Sequence, residues 1–400
     1  MHIVTSTDIL LPCAEDMGAW SVIACDQFTS EPEYWAEAEK RAAEKPSALS
    51  LMLPEAWLHT ARADGADARI AETMRRYLAE GVFQTIPDSF IYVERTLPDG
   101  RIRRGLIAAL DLEQYDFTGK LSASVRSTEG TVEERLPPRV NIRRGAPLEM
   151  PHTLLLMDDR TDSVLSLAEK AKDALEKVYD FDLMLGGGHI AGWRVSGGTK
   201  AAVQSALDSL DNAALQRKKY GDAAQNGKLT FAVGDGNHSL AAAKRFWEEK
   251  REMLPENERQ TDPARFALVE IENIHEPSLD FEPIHRVIFD TDTSAFAAGL
   301  AAHRAEWEAK DKTLGERVAA AESFCRAYTA AHGGYIDYIH GDDTARALGE
   351  KPNCAAVLLP PVEKSGLFLS VLKNGALPKK SFSMGNARDK RYYLECRKIR

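Results

Sequence analysis

Long apolar runs are missing from this chain of 400 residues. The longest, such as Leu154-Leu155-Leu156-Met157 and residues 355–361, fall far short of the roughly 20 residues a spanning helix needs, so no membrane partner is expected. Cysteine is scarce. Cys13, Cys25, Cys325, Cys354 and Cys396 are odd in number and none has C-x-x-C spacing. A disulfide framework or structural zinc is therefore not expected, and a reducing cytoplasm is the compartment that fits. The ten histidines form no H-E-x-x-H. The first residues lack a basic segment followed by an apolar core, so no secretory leader is read there. Neither G-x-x-x-x-G-K-[ST] nor G-x-G-x-x-G occurs, and no internal repeat or low-complexity stretch is visible. Positive charge is also in deficit, with 51 Lys plus Arg against 61 Asp plus Glu and a net charge of −10. That balance argues against a nucleic-acid partner, whose backbone calls for a basic face.

What is present is an ordinary globular composition, 44% hydrophobic and 28% charged, which excludes a mostly disordered chain. Helical and strand patterns are mixed without a regular β-α alternation, which favours an α+β (mixed α/β) fold over a doubly wound sheet. Leu97-Pro98-Asp99-Gly100 between two apolar runs reads as a hairpin, because Pro and Gly supply the turn dihedrals. Gly186-Gly187-Gly188 reads as a second hairpin. A helix is predicted over 163–178, and short strands near 335–339, 355–359, 367–372 and 392–396. Residues 254–263 and 274–279, polar and Pro-bearing, read as linkers. The chain is divided into a core over 1–290 and a smaller α+β portion over 291–400.

The sharpest local feature is Val233-Gly234-Asp235-Gly236-Asn237-His238, followed by Ser239-Leu240-Ala241-Ala242-Ala243-Lys244. A predicted strand over 229–233 ends, two glycines bracket an aspartate, and an Ala-rich helix begins. Gly234 and Gly236 would let backbone approach a ligand, and the helix start offers unpaired N–H groups, an environment that suits phosphate. Asp235 is a candidate Mg²⁺ ligand or base, Asn237 is a candidate phosphate contact, and His238 is a candidate catalytic residue that could bind phosphate or shuttle a proton. The same residues also suit a plain helix cap and turn. If the turn holds a ligand, Gly236→Val should abolish binding at little cost in stability, unless Gly236 has a positive φ.

Arginines cluster as Arg126, Arg135, Arg139, Arg143 and Arg144, within nineteen residues. Guanidinium forks match phosphate and carboxylate oxygens. Arg126 is a candidate for holding an acceptor's carboxylate or phosphate. Thr128 and Glu129 could orient or deprotonate a hydroxyl, with Glu129 a reserve for the base. His285-Arg286 opens an apolar strand and could line a site, as could Asp26 at the end of 20–25. Cys25 reads as a small buried thiol rather than a nucleophile, because no base is near it in sequence. Lys379-Lys380-Ser381 forms a short basic tail, and Lys380 and Ser381 could reach a phosphate.

Taken in order, the Asp235-Gly236-Asn237-His238 turn, the His285-Arg286-Val287-Ile288 strand, the segment from His189 to Trp193-Arg194-Val195 and the Pro378-to-Ser381 tail resemble the DUF1015 family. The resemblance spans nearly the whole chain. The family's turn reads D-G-H-H-R-Y. Here Asn237 replaces the first His and Ser239-Leu240 replace Arg-Tyr. In the tail, P-Q-K-S-T-Y-F in the family, Lys379 replaces Gln, and Phe382 and Ser383 replace Thr and Tyr. The D-G-x-H turn is also similar to that of the ParB and sulfiredoxin-like group, which includes kinases of free serine. The resemblance therefore implies a ParB/sulfiredoxin-like core elaborated into one large single-site protein. It further implies a nucleotide-dependent kinase of a small molecule, free serine among the candidates, using Mg²⁺ and ATP or ADP. A non-catalytic nucleotide-binding regulator would share the same binding residues. A DNA-binding role is disfavoured by the net charge and by the lack of a basic helix-turn-helix.

Overall fold

The computed structural model describes residues 2–150 and 152–400. The fold is α+β. Among the described residues, eleven strands form one mixed sheet. Nine of them run in the order Glu176–Asp182, His189–Val195, Phe83–Thr96, Ile102–Asp111, Phe266–Asn273, Leu154–Met157, Phe231–Asp235, Val125–Ser127 and Tyr115–Asp116. Val4–Thr5 and Thr7–Pro12 pair alongside Ile102–Asp111 and Phe83–Thr96. The Pro98-Asp99-Gly100 turn joins two long antiparallel strands as read from sequence, with Gly100 at φ 87°. A smaller sheet is built on Phe281–Phe289, which pairs with Tyr335–His340, Ala355–Val357 and Phe382–Met384.

Two apolar cores result. The first takes Trp20, Trp35, Phe90, Leu106, Phe231, Trp247 and Leu268 from the large sheet and its helices. The second gathers Leu156, Ile288, Trp307, Phe324, Phe368 and Phe382. They are interleaved in sequence rather than divided at residue 290. Phe281 and Ile288 already belong to the second, and Tyr392, Tyr393, Leu394 and Ile399 return to the first. Tyr392–Tyr393 pairs with Val22–Ile23, and Arg397–Lys398 pairs with Leu148–Glu149.

Three local expectations are corrected. The helix that begins near 163 is short, Leu165–Ala171, and Glu176–Asp182 is a strand. It starts the Gly186–Gly188 hairpin, and pairing with His189–Val195 overrides the helical periodicity. Residues 367–372 form a helix, Leu367–Asn374, rather than a strand. Leu367, Phe368, Val371 and Leu372 lie on one helical face and fill the second core. Residues 274–279 do not form a loose linker, since Ile274 and Leu279 are both buried. Among the described residues, no helix is long and apolar enough to cross a membrane.

Candidate functional site

Strand register explains how distant motifs meet. Val125–Ser127 runs parallel to Phe231–Asp235, with Ser127 opposite Val233. Their carboxyl ends therefore leave the sheet together, which is where open α/β sheets bind ligands. The Thr128 hydroxyl donates to the Val233 carbonyl at 2.7 Å, locking the two ends. The C-terminal tail joins the same edge, because the Leu377 N–H donates to the Thr128 carbonyl at 2.7 Å.

The turn itself follows from its glycines. Gly236 has φ 75° and precedes the helix Asn237–Met253. Any Cβ on Gly234 would lie 2.6 Å from Met384 Sδ and 2.9 Å from Leu156 Cγ, so close packing demands the glycine there. At Gly236 a Cβ would lie 2.9 Å from Thr153 Cα. The condition set on the Gly236→Val test is thus met. That variant is expected to lower the thermal midpoint as well as binding, because strain and clash act together. An unchanged midpoint in a melting experiment would contradict this geometry.

The turn opens onto a cleft of about 580 Å³ between the two cores. Of the residues singled out from sequence, Asp26, Thr128, Glu129, Gly234, Asp235, Gly236, Asn237, His238 and Lys380 line it. Arg135, Arg139, Lys379 and Lys390 line it too, so five cations face four carboxylates in a chain of net negative charge. The N–H groups of Asn237, His238 and Ser239, at the helix start, have no carbonyl behind them within the helix. Asn237 Oδ1 is buried without a hydrogen-bond partner. A buried acceptor left unmatched costs free energy, and a ligand donor in the cleft would recover it.

Electrostatics agree with this charge pattern. Burial, then the charges of Arg139 and Arg135, push the His238 imidazole down to about 4. Its Nε2 accepts the Val132 N–H at 3.2 Å, so the neutral ring carries its proton on Nδ1. Burial, then Lys380 and Lys390, also lower His340 on the opposite wall. Burial tends to raise the Asp26 carboxyl, but His152, the Gln27 amide and Lys390 outweigh it and hold it low. Asp235 is held by two contacts. One oxygen accepts the Gly236 N–H at 2.8 Å, and the other lies 3.3 Å from Lys390 Nζ.

Glu129 is more committed. Its oxygens accept the N–H groups of Ser381 at 3.0 Å and Lys380 at 3.3 Å. Burial raises its carboxyl above the usual range despite those donors. The geometry gives it a positioning role: it pins the tail, including Lys380 at φ 60°, over the cleft.

Four expected site residues lie outside the cleft, and each has a structural reason. Arg126 is buried, and its guanidinium donates to the carbonyls of Ala123 and Lys228, each at 3.1 Å. His285 and Arg286 sit on the central strand of the smaller sheet, where both faces are covered, and both are fully buried. His285 Nδ1 accepts the Leu359 N–H at 3.1 Å and Nε2 meets Asp342 at 2.9 Å. Arg286 pairs with Glu322 and lies under the ring of Tyr338, which does line the cleft. Ser381 is buried beneath the tail, its hydroxyl donating to the Pro378 carbonyl at 2.5 Å.

A resident Mg²⁺ at Asp235 does not fit the donor set. The ammonium of Lys390 faces that carboxylate, and among the described residues no cluster of three His, Cys, Asp or Glu could hold a metal ion. The cleft residues that sequence reasoning missed are chiefly Lys390, His152 and Tyr338, while Arg135, Arg139 and Lys379 were noted only as members of basic clusters. The i,i+4 spacing of Arg135 and Arg139 at a Pro-initiated helix was a usable signal. Lys390 had none. It is placed by Arg95 and Arg103, whose guanidiniums grip the carbonyls of residues 388–390.

The family model described as "Protein of unknown function (DUF1015)" matches residues 8–398, and the chain belongs to that family. No curated protein matches. Among solved structures, a conserved hypothetical protein from Pyrococcus furiosus is similar with a TM-score of 0.33 and 10% identity, over 73% of this chain and 95% of that one. A free serine kinase in complex with AMP is similar with a TM-score of 0.35 and 9% identity, over 72% and 90%. SbnI with a C-terminal truncation, from Staphylococcus aureus, gives 0.32 and 9% identity, over 70% and 82%. Likenesses this distant carry no argument about chemistry.

Proposed function

We propose that the cleft binds a phosphorylated small molecule and transfers a phosphoryl group between a nucleotide, ATP or ADP, and an alcohol, free serine among the candidates. The observation that carries this reading is the Gly234–His238 turn. It sets the N–H groups that begin a 17-residue helix beside Asp235, in a cleft also lined by Arg135, Arg139, Lys379, Lys380 and Lys390. Phosphoryl transfer asks mainly for positioning and charge neutralisation, and those groups supply both. Asp235 would take the proton of the acceptor hydroxyl, with Lys390 orienting its carboxylate. The cleft volume suits a nucleotide-sized ligand.

One observation favours a second reading. Asp235 is ion-paired and Glu129 is tied to backbone amides, so neither carboxylate is free of partners. A non-catalytic nucleotide-binding regulator would need no free base. Thermal shifts with ATP, ADP and CTP, each with and without Mg²⁺, test binding, and product formation from a panel of amino acids and sugars tests turnover. Binding with turnover supports the kinase, binding without turnover the regulator, and neither result sinks both.

Anion binding has its own signature. Sulfate does not titrate near neutral pH, and beside His238 it would raise an imidazole now near 4. Binding then takes up a proton in the window above pH 4, so sulfate affinity should rise as pH falls from 7 to 5. His238→Gln should flatten the profile in calorimetric titrations. A flat profile in the parent protein would mean that His238 does not face the anion.

A further inference from the structure

Behind the polar cleft lies a second cavity of about 170 Å³, walled by Leu51, Met52, Met74, Ile142, Met150 and Leu240. Cys25, Glu55, Arg139, His152 and Ser239 line both spaces, so the two adjoin. The charged side chains on its wall are paired with one another, although the buried Nε of Arg143 has no partner. Arg139 pairs with Glu55, Arg143 with Glu149 at 2.6 Å, and His152 Nδ1 with the Tyr393 hydroxyl at 2.9 Å. The Cys25 thiol, pushed up to about 12 chiefly by burial, is neutral. A purine or sugar entering this space would find few free donors or acceptors, whereas a hydrocarbon group gives up nothing. Apolar cavities of about 150 Å³ stay dry and take up benzene-sized guests. Three methionines among the walls suit a flexible chain.

We infer that the ligand of the cleft is amphiphilic, with its phosphate or hydroxyl head at the Gly234–His238 turn and an alkyl or phenyl group of about six carbons in this cavity. The inference rests on the phosphate reading of the cleft, and it shifts the acceptor class away from free serine, whose side chain leaves the cavity empty. Ser239 and Arg139, shared by both spaces, would mark the passage between head and tail.

The test uses the full chain and a set of probes: inorganic phosphate, methyl to octyl phosphate, and phenyl phosphate, titrated by calorimetry. Affinity should climb by about fourfold per methylene up to roughly hexyl and then level off. Phenyl phosphate should bind well above inorganic phosphate. Ala243→Leu, which puts a larger side chain on the cavity wall, should erase the climb while leaving inorganic phosphate affinity unchanged. Inorganic phosphate binding with a flat ester series overturns this inference and spares the cleft reading. A climb that survives Ala243→Leu also overturns it. If neither phosphate nor any ester binds, both readings fall together. The ester series on the unaltered protein decides the matter even where Ala243→Leu does not fold.

Discussion

Asp235→Asn should lower kcat by about 10²-fold or more while leaving anion affinity unchanged or tighter. The rate falls because an amide takes up no proton from the acceptor hydroxyl. Affinity holds because the substitution removes a negative charge from a cleft in which Lys390 stands 3.3 Å away and then faces the ligand without that counter-charge. Asparagine retains an oxygen for the Gly236 N–H, now accepted at 2.8 Å, so the turn should keep its shape. Opposite movements of rate and affinity separate a base from a mere phosphate contact. Steady-state turnover and sulfate titration on the same preparation check the pair, and a variant that turns over at the parent rate would remove Asp235 from the chemistry. The regulator reading predicts the affinity change alone.

Glu149→Ala should destabilise the chain by about 3–5 kcal/mol, because it strands the buried Arg397 and the largely covered Arg143. The Glu149 carboxylate is 4% exposed and meets Arg143 Nη2 at 2.6 Å. It also accepts Arg397 Nε at 2.8 Å and the Leu268 N–H at 2.8 Å. It thereby ties the helix Leu136–Gly145, the Phe266–Asn273 strand and the C-terminal strand together. Burial alone would raise this carboxyl, but the charges of Arg143 and Arg397 hold it below its ordinary value. Its contribution to stability is therefore complete above the pKa of an unfolded glutamate and is lost as pH falls through the lower folded value. Urea midpoints should show a steep acid decline in the parent and a shallower one in Glu149→Gln. Equal midpoints for the parent and Glu149→Ala would show that the pairs contribute nothing net.

Some of this molecule was legible residue by residue. Pro98-Asp99-Gly100 and Gly186-Gly187-Gly188 marked their hairpins because the dihedrals they require are local. The strand–turn–helix around Asp235 was legible for the same reason: Gly236 at φ 75° and the Ala-rich helix after it are dictated within a dozen residues. Residues 367–372 and 176–178 were misread because a short apolar run fits either period, and only the neighbour it packs against chooses between them.

The site divided along the same line. Asp235, Asn237 and His238 could be named from sequence because one turn carries them. Arg126, His285 and Arg286 bear the same chemistry but point into covered layers, a fact that depends on which strands flank theirs. Lys390 reached Asp235 across 155 positions only because Arg95 and Arg103 hold the backbone carbonyls of Lys390 and the residues just before it. Sequence by itself determined the turn, its glycines and an acidic composition without long apolar runs, since each is set by local dihedrals or by counting. Tertiary structure alone decided which charges face the cleft, whether Asp235 stands free or paired, and that an apolar cavity adjoins it. Long-range strand order and burial place those groups, and neither is written in the spacing of residues along the chain.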